Sequence, residues 1–354
     1  MVWTDSDPIW LRAWYPNDVR GMTGARPRAS GTGALRRLAA VVGVVLLLAG
    51  GAGIAAHYSL FVSTGWTLIA SFTPLFLPVA AAALVLLVSS RRRYLAAVAV
   101  AVLAVGVWTQ VPLYRAASAV PPAEEGIHVR VLQANIYLGQ ADTAALVHTV
   151  RDRDIDLLTV SELTDSAAAG LAAAGLSGEL PYSFLRPTGG GGGTGIYSRY
   201  PLRGEALPGF VLHNLRATVD IPGAGPTAVY ALHPLPPYPE PAYRWMAELG
   251  KLRGILGTER LPLIVGADFN STYDHREYRR ILDGAGSPIR DAAEYVGTGI
   301  VATYPADRWY PAVLAIDRIL TRGGTPISFS RTDIPGSDHH GVIGEIRLDE
   351  AGRH

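Results

Sequence analysis

Residues 261–275 read LPLIVGADFNSTYDH. The first half is apolar and rich in the residues of a buried strand, so Leu263, Ile264 and Val265 belong in a core. Asp268 and Asn270 follow at its tip, a carboxylate and an amide that need partners if they are buried. Alone, Asp-Phe-Asn suggests no more than a turn, because Asp and Asn side chains bond readily to nearby backbone. Its meaning depends on what else the chain brings to the same place.

The same pattern recurs along the C-terminal two thirds of the 354 residues. VRVLQAN delivers Asn135, LLTVSE delivers Glu162, AVYALH delivers His233 and AVLAID delivers Asp317. PGSDHHGV places Asp338 and His339 just before a last strand, GVIGEIRL. Each ending alone is explained by a cap or a satisfied histidine. Their repetition in one domain exceeds what turns require. DTAALVHTVRDRDID and AYRWMAELGKLRGIL have helical period, whereas LRATVDI and TAVYALH read as strands. This mixture predicts an α/β fold with strands in the majority around one sizeable core. The five consecutive glycines in TGGGGGTG (188–195) lack the Lys-Ser/Thr ending of a nucleotide-binding loop and read as a flexible surface connection.

Three charge-free stretches come before this domain: Leu38–Ala56, Trp66–Val88 and Leu95–Tyr114. They run 19, 23 and 20 residues, each enough for a helix to cross roughly 30 Å of hydrocarbon. Three in succession without a charged face predict transmembrane helices rather than core helices or a cleaved signal peptide. Arg12, Arg20, Arg26, Arg28, Arg36 and Arg37 precede the first, and Arg91, Arg92 and Arg93 separate the second from the third. The connection 57–65 has no Lys or Arg. The positive-inside rule then places the N-terminus in the cytoplasm and everything after Tyr114 outside. Residues 1–37 read as a disordered cytoplasmic tail, 38–114 as the three spans, 115–127 as a linker and 128–350 as the enzyme-like domain.

Cysteine is absent, which removes disulfides and thiolate metal sites. Residues 116–354 carry 21 Lys and Arg against 27 Asp and Glu, a net charge of −6. General nucleic-acid binding relies on a basic face, so this balance argues against it. Tyr238, Tyr243 and Trp245 lie close to His233 and suit an interface that is apolar at one end and wet at the other, or equally ordinary packing.

The segments QAN, SEL, GIYSRYPL, HPLP, GADFNS, AIDRIL and SDHHGV, in this order, resemble the endonuclease/exonuclease/phosphatase superfamily across roughly residues 128–348. Asp-Phe-Asn together with a late Ser-Asp-His carries the specificity. Placed behind three membrane helices, the domain is most similar to the VanJ-type membrane proteins of actinobacteria, which are associated with glycopeptide resistance. The resemblance implies a DNase I-like four-layer sandwich, two packed mixed β-sheets flanked by helices. It implies Mg2+ or Mn2+ as cofactor, held by Glu162, Asn135 and Asp338. It further implies that Asp268 orients or deprotonates the attacking water and that Asn270 contacts the phosphate. His233 and His339 would hold that phosphate, with Asp317 orienting His339. Ala267 stands where glycine is commonest, and His340 doubles the motif histidine, although the motif favours His339.

The chemistry is intelligible from the residues as well. Phosphoester hydrolysis requires charge on the equatorial oxygens to be neutralised while water attacks opposite the leaving oxygen. A hard divalent cation suits carboxylate and amide oxygens. The expected function is an outward-facing, membrane-anchored, Mg2+-dependent phosphatase or phosphodiesterase acting on a lipid-linked phosphate or diphosphate. The alternatives are a tethered extracellular nuclease and a catalytically silent binding or sensory domain.

Overall fold

The computed structural model describes residues 31–61, 63–117, 126–284 and 287–350. Most of the expected tail (1–30) and the linker residues 118–125 lie outside the described residues. Four helices come first: α1 (Gly31–His57), α2 (Thr64–Ser71), α3 (Phe76–Ser89) and α4 (Arg93–Tyr114). The first half of the domain contains β1 (Ile127–Asn135), α5 (Thr143–Asp152), β2 (Leu157–Ser161), α6 (Asp165–Ala173), α7 (Leu176–Glu179), β3 (Tyr182–Arg186) and β4 (Thr194–Ser198). Next come β5 (Leu202–Ala206), β6 (Leu215–Ile221), β7 (Gly225–Leu232), α8 (Ala242–Thr258), β8 (Leu263–Asp268) and α9 (Arg276–Leu282). The chain closes with β9 (Arg290–Asp291), α10 (Ala292–Val296), β10 (Asp317–Arg322), β11 (Gly324–Thr332) and β12 (Gly341–Leu348).

The strands form two six-stranded mixed sheets, ordered β11-β12-β1-β2-β4-β3 and β5-β6-β7-β8-β10-β9. Each has one parallel pair at its centre, β1 with β2 and β7 with β8, and is otherwise antiparallel. Period-two alternation explains the layering. In β8, Ile264 faces the core between the sheets, whereas Leu263, Val265 and Ala267 face α8 and α9. In β1, Val129 and Val131 point between the sheets, while Leu132 and Ala134 meet α5 and α6. The result is the expected four-layer order of helices, sheet, sheet and helices. Gly266 is needed at the sheet contact, because a Cβ there would stand 2.1 Å from Thr159 Oγ1 of the opposing sheet.

The apolar N-terminal region departs from the expectation of three membrane helices at 38–56, 66–88 and 95–114. Residues Thr32–His57 and α4 are each long and apolar enough to cross a membrane. The second stretch is broken into Thr64–Ser71 and Thr73–Ser89, bent by 65°. Pro74 sits in the short 3-10 turn at the break, and proline lacks the N–H that would continue the α-helical ladder. α1 begins at Gly31 rather than Leu38, since extending a formed helix through Arg36 and Arg37 costs little.

These helices are fused to the domain through a polar junction. Asp274 and His275 lie just after the β8 tip and are almost completely buried. Asp274 Oδ1 accepts from His57 Nδ1 of α1 at 2.7 Å and from Gln110 Nε2 of α4 at 2.8 Å. His275 Nε2 lies 3.0 Å from Thr67 O and 3.3 Å from Ser71 Oγ, both in α2, while its Nδ1 accepts from Thr272 N. With one nitrogen donating and the other accepting, this imidazole is neutral, and burial pushes its pKa down to about 4. Arg279 of α9 reaches back to His57 O at 2.6 Å.

Candidate active site

The sheet topology decides where the polar endings meet. β1, β2, β7 and β8 deliver Asn135, Glu162, His233 and Asp268 at or just past their carboxyl ends. β10 runs antiparallel to β8, with Asp317 directly opposite Asp268. Asp317 therefore opens β10 and does not end a preceding strand, as AVLAID had suggested; residues 312–316 are outside the ladder. Asp338 and His339 precede β12, which is antiparallel to β1. Carboxyl ends of four strands and amino ends of two thus share one edge.

At its centre Asp268 is 1% exposed. Its Oδ1 accepts from Asn270 N at 2.9 Å, and its Oδ2 accepts from Asn135 Nδ2 at 3.0 Å. His233 Nε2 stands 3.6 Å and His339 Nε2 3.8 Å from the same Oδ2. Both gaps exceed a hydrogen bond, leaving each Nε2 free to turn to a ligand. Asn135 Nδ2 also reaches Glu162 Oε1 at 3.1 Å, so one amide brackets two carboxylates. Its Oδ1 accepts from Tyr137 N at 3.0 Å and keeps a second lone pair. Asn270 Nδ2 spends one proton on Pro234 O at 3.1 Å. Glu162 (φ +63°) and Asn270 (φ +49°) are both left-handed, a conformation that costs non-glycine residues roughly 1–3 kcal/mol and concentrates at functional sites.

His339 Nδ1 donates to Asp317 Oδ2 at 2.8 Å. Burial alone would lower the pKa of this imidazole, but the adjacent Asp317 and Asp268 carboxylates prevail and raise it to about 10. The cation thus faces Asp268 at neutral pH. His340 turns away and pairs with Asp333 at 2.9 Å, which favours the same histidine as the motif did. Ala267 is fully buried in the core beneath the site, where a methyl group fits.

Among the described residues, two carboxylate groupings at this edge could take a cation. Asp268, Asp317 and His339 offer ligand atoms within 4.8 Å of one another. His339 Nδ1 is already committed to Asp317, however, and a hard cation prefers an all-oxygen set. Glu162 and Asp338 fit better. Asp338 Oδ1 is buried without a hydrogen-bond partner. Its pKa is raised to about 6, first by burial and further by the charge of Glu162. A divalent ion between these groups would relieve both penalties.

All eight sequence-predicted residues thus converge, and others were missed. Asn214 Oδ1 accepts from His233 N at 2.8 Å. Ser337 Oγ bonds Asn135 O at 2.7 Å and accepts from His339 N at 3.0 Å, tying the last loop to β1. Ser337 was visible in the Ser-Asp-His triplet, but nothing in the sequence gave it a role. Tyr304 packs on the His339 ring with centroids 4.9 Å apart. The glycine run is more than a surface connection: Gly191 borders the cleft, and a Cβ on Gly193 would strike Leu163 O at 1.8 Å. The cleft holds about 460 Å3, and Leu68 and Ser71 of α2 form part of its wall. A larger recess of about 970 Å3 lies among α4, α9 and α10. It contains none of the residues gathered here, and convergent polar groups mark a site better than volume does.

A sequence model of the Endonuclease/Exonuclease/phosphatase family matches residues 132–339. The chain belongs to the endonuclease/exonuclease/phosphatase family. Proteins of this family are generally phosphoester hydrolases that depend on a divalent metal. Among similar solved structures is a humanized TDP2 from D. rerio, 18% identical, with a TM-score of 0.51 over 62% of this chain and 99% of that one. D. rerio TDP2 complexed with single strand DNA product gives the same identity, TM-score and coverage. An endonuclease/exonuclease/phosphatase from Bacteroides vulgatus is 17% identical, with a TM-score of 0.50 over 63% of this chain and 100% of that one. At such identities these structures establish the family fold alone. A comparison with curated protein sequences found no match.

Proposed function

We propose that the chain is a membrane-anchored, outward-facing phosphoester hydrolase acting on a lipid-linked phosphate or diphosphate. The observation that carries the substrate class is the cleft wall: Leu68 and Ser71 come from α2, part of the bent apolar segment. A cleft walled by such a segment would open where a bilayer begins, and the arginines flanking α1 and α3 support an orientation with that side outside a bacterial cell membrane. Cell-envelope carrier lipid and phospholipid head groups both fit. The former would connect the chain to glycopeptide resistance through its resemblance to VanJ-type proteins.

In this reading Glu162, Asp338 and Asn135 would hold Mg2+ or Mn2+. The ion supplies Lewis-acid stabilisation of phosphate charge when bound. Asp268 accepts a proton from water as the water oxygen bonds to phosphorus and the bond to the leaving oxygen breaks. Protonated His339, oriented by Asp317, and His233 donate to the phosphoryl oxygens, where negative charge is greatest. The free amide proton of Asn270 reaches the same group.

The test uses the full chain in nanodiscs, because a fragment starting after α4 would expose Asp274 and His275. Mg2+-dependent release is measured from a lipid diphosphate, a phospholipid and DNA, with Asp268→Ala and His339→Ala as controls. Lipid phosphate release abolished in both variants is expected. DNA cut far faster than either lipid would establish the tethered nuclease, and no hydrolysis in any arm would leave the silent binding domain.

A further inference from the structure

Trp309 is 95% exposed. An indole in that position leaves roughly 150–250 Å2 of mostly apolar surface in water. Tyr310 packs edge-on against it, with centroids 5.5 Å apart and planes at 90°. The pair sits at the tip of residues 305–313, an excursion closed at its base by the Tyr304–Leu314 bridge. Tyr304 N bonds Leu314 O at 3.0 Å, and Val313 N bonds Tyr304 O at 2.9 Å. Pro305 and Pro311 restrict the backbone in between. The projection is held in place by its own base.

Its surroundings say what it projects toward. On one side of the base, Tyr304 and Leu314 line the cleft. On the other, Val313 and Ile300 share a recess with Pro74, at the bend after α2, and Leu113, at the end of α4. Arg308, next to Trp309, has a side chain 58% exposed and pairs with Asp307 at 3.3 Å, so a polar ion pair flanks the aromatic tip. Trp, Tyr and Arg together are the residues favoured where acyl chains give way to head groups.

We propose that residues 305–313 are an interfacial anchor whose Trp309 and Tyr310 seat in the headgroup layer of a lipid bilayer beside the mouth of the cleft. The occupant is a bilayer rather than a second protein because the base of the excursion adjoins the ends of α2 and α4. A membrane holding α1 and α4 therefore lies alongside it. The inference rests on the membrane placement proposed above. It adds that the catalytic domain itself touches lipid and holds the cleft at headgroup depth, so that an amphiphile need not leave the bilayer to be cleaved.

The chain has no cysteine, so single thiols can be labelled cleanly. Trp309→Cys and, on the exposed face of α1, Leu48→Cys are each labelled with an environment-sensitive fluorophore in the full chain. They are then placed in phosphatidylcholine/phosphatidylglycerol nanodiscs containing nitroxide lipids. The label at 309 should be quenched at least twofold more by a nitroxide near the head group than by one near the chain terminus. The label at 48 should be quenched by the deep nitroxide. No quenching at 48 means that the membrane placement itself is wrong. Quenching at 48 with none at 309 overturns the anchor alone, as does energy transfer between copies labelled at 309. In unlabelled chain, Trp309→Ser should raise KM for a bilayer-embedded lipid phosphate at least threefold and leave a short-chain soluble ester unaffected. Equal effects on both substrates also overturn the proposal.

Discussion

Replacing His57 by alanine tests whether the helices and the domain are one structure. The His57 and Asp274 side chains are 6% and 3% exposed, and their bond is 2.7 Å long. A hydrogen bond to a charged group contributes about 1.5–3 kcal/mol, and a buried partner left unsatisfied adds desolvation cost of similar size. Gln110 still donates to Asp274 at 2.8 Å, which limits the loss to roughly 3 kcal/mol. For a domain of this size each kcal/mol moves Tm by about 2–4 °C, so His57→Ala should lower it by roughly 6–12 °C. Tm is read by intrinsic fluorescence of the full chain in detergent, with Leu48→Ala on the exposed face of α1 as a control expected to shift it little. His57→Ala/Asp274→Ala should fall close to the worse single variant, since each change removes the same contact. A His57→Ala shift within 1–2 °C of zero, or strict additivity in the double variant, would refute the reasoning.

Three further outcomes are expected. Asp317→Asn keeps an oxygen that can accept from His339 but removes the negative charge that holds it protonated, and kcat for phosphate release should fall about 100-fold with little change in Tm. Gly266→Ala drives a Cβ against Thr159 Oγ1 and should destabilise the protein by about 1–3 kcal/mol, with partial rescue by Thr159→Ala in denaturation measurements. Stability should also depend on pH through one half-buried and one buried group with opposite slopes. Glu294 is pushed up to about 7 from 4.5, first by burial and then by Asp291, so its folded state binds the extra proton and stability falls as pH rises from 4.5 through 7. Glu294→Gln should flatten that loss, leaving the variant the more stable above pH 7 and equal to wild type near pH 4.5. His275, depressed from 6.5 to about 4 by burial, stabilises fully above pH 6.5 and loses that contribution as pH falls toward 4. Denaturation midpoints of wild type and Glu294→Gln from pH 4 to 8 separate the two.

The sequence by itself determined the strands at the centre of each sheet, the apolar character of the N-terminal helices and which polar side chains meet at the candidate site. Period-two alternation and terminal polar residues are local properties, so LPLIVGADFN already specified a buried strand ending in Asp268. Asp142 could likewise be placed at the start of a helix, and it caps α5. Tertiary structure alone decided the rest. Whether Asp317 ends a strand or begins one depends on β10 running antiparallel to β8, and pairing direction is not encoded within the segment. Reading Trp66–Val88 as one span misses the bend at Pro74, whose result, α2 lying against the cleft, depends on Ser71 and Thr67 meeting His275 across more than 200 residues of chain. Asp274 and His275 sat in the opening stretch as plain polar residues. Only folding buried them, and burial without water is what forces a polar group to find a partner, here in the apolar helices.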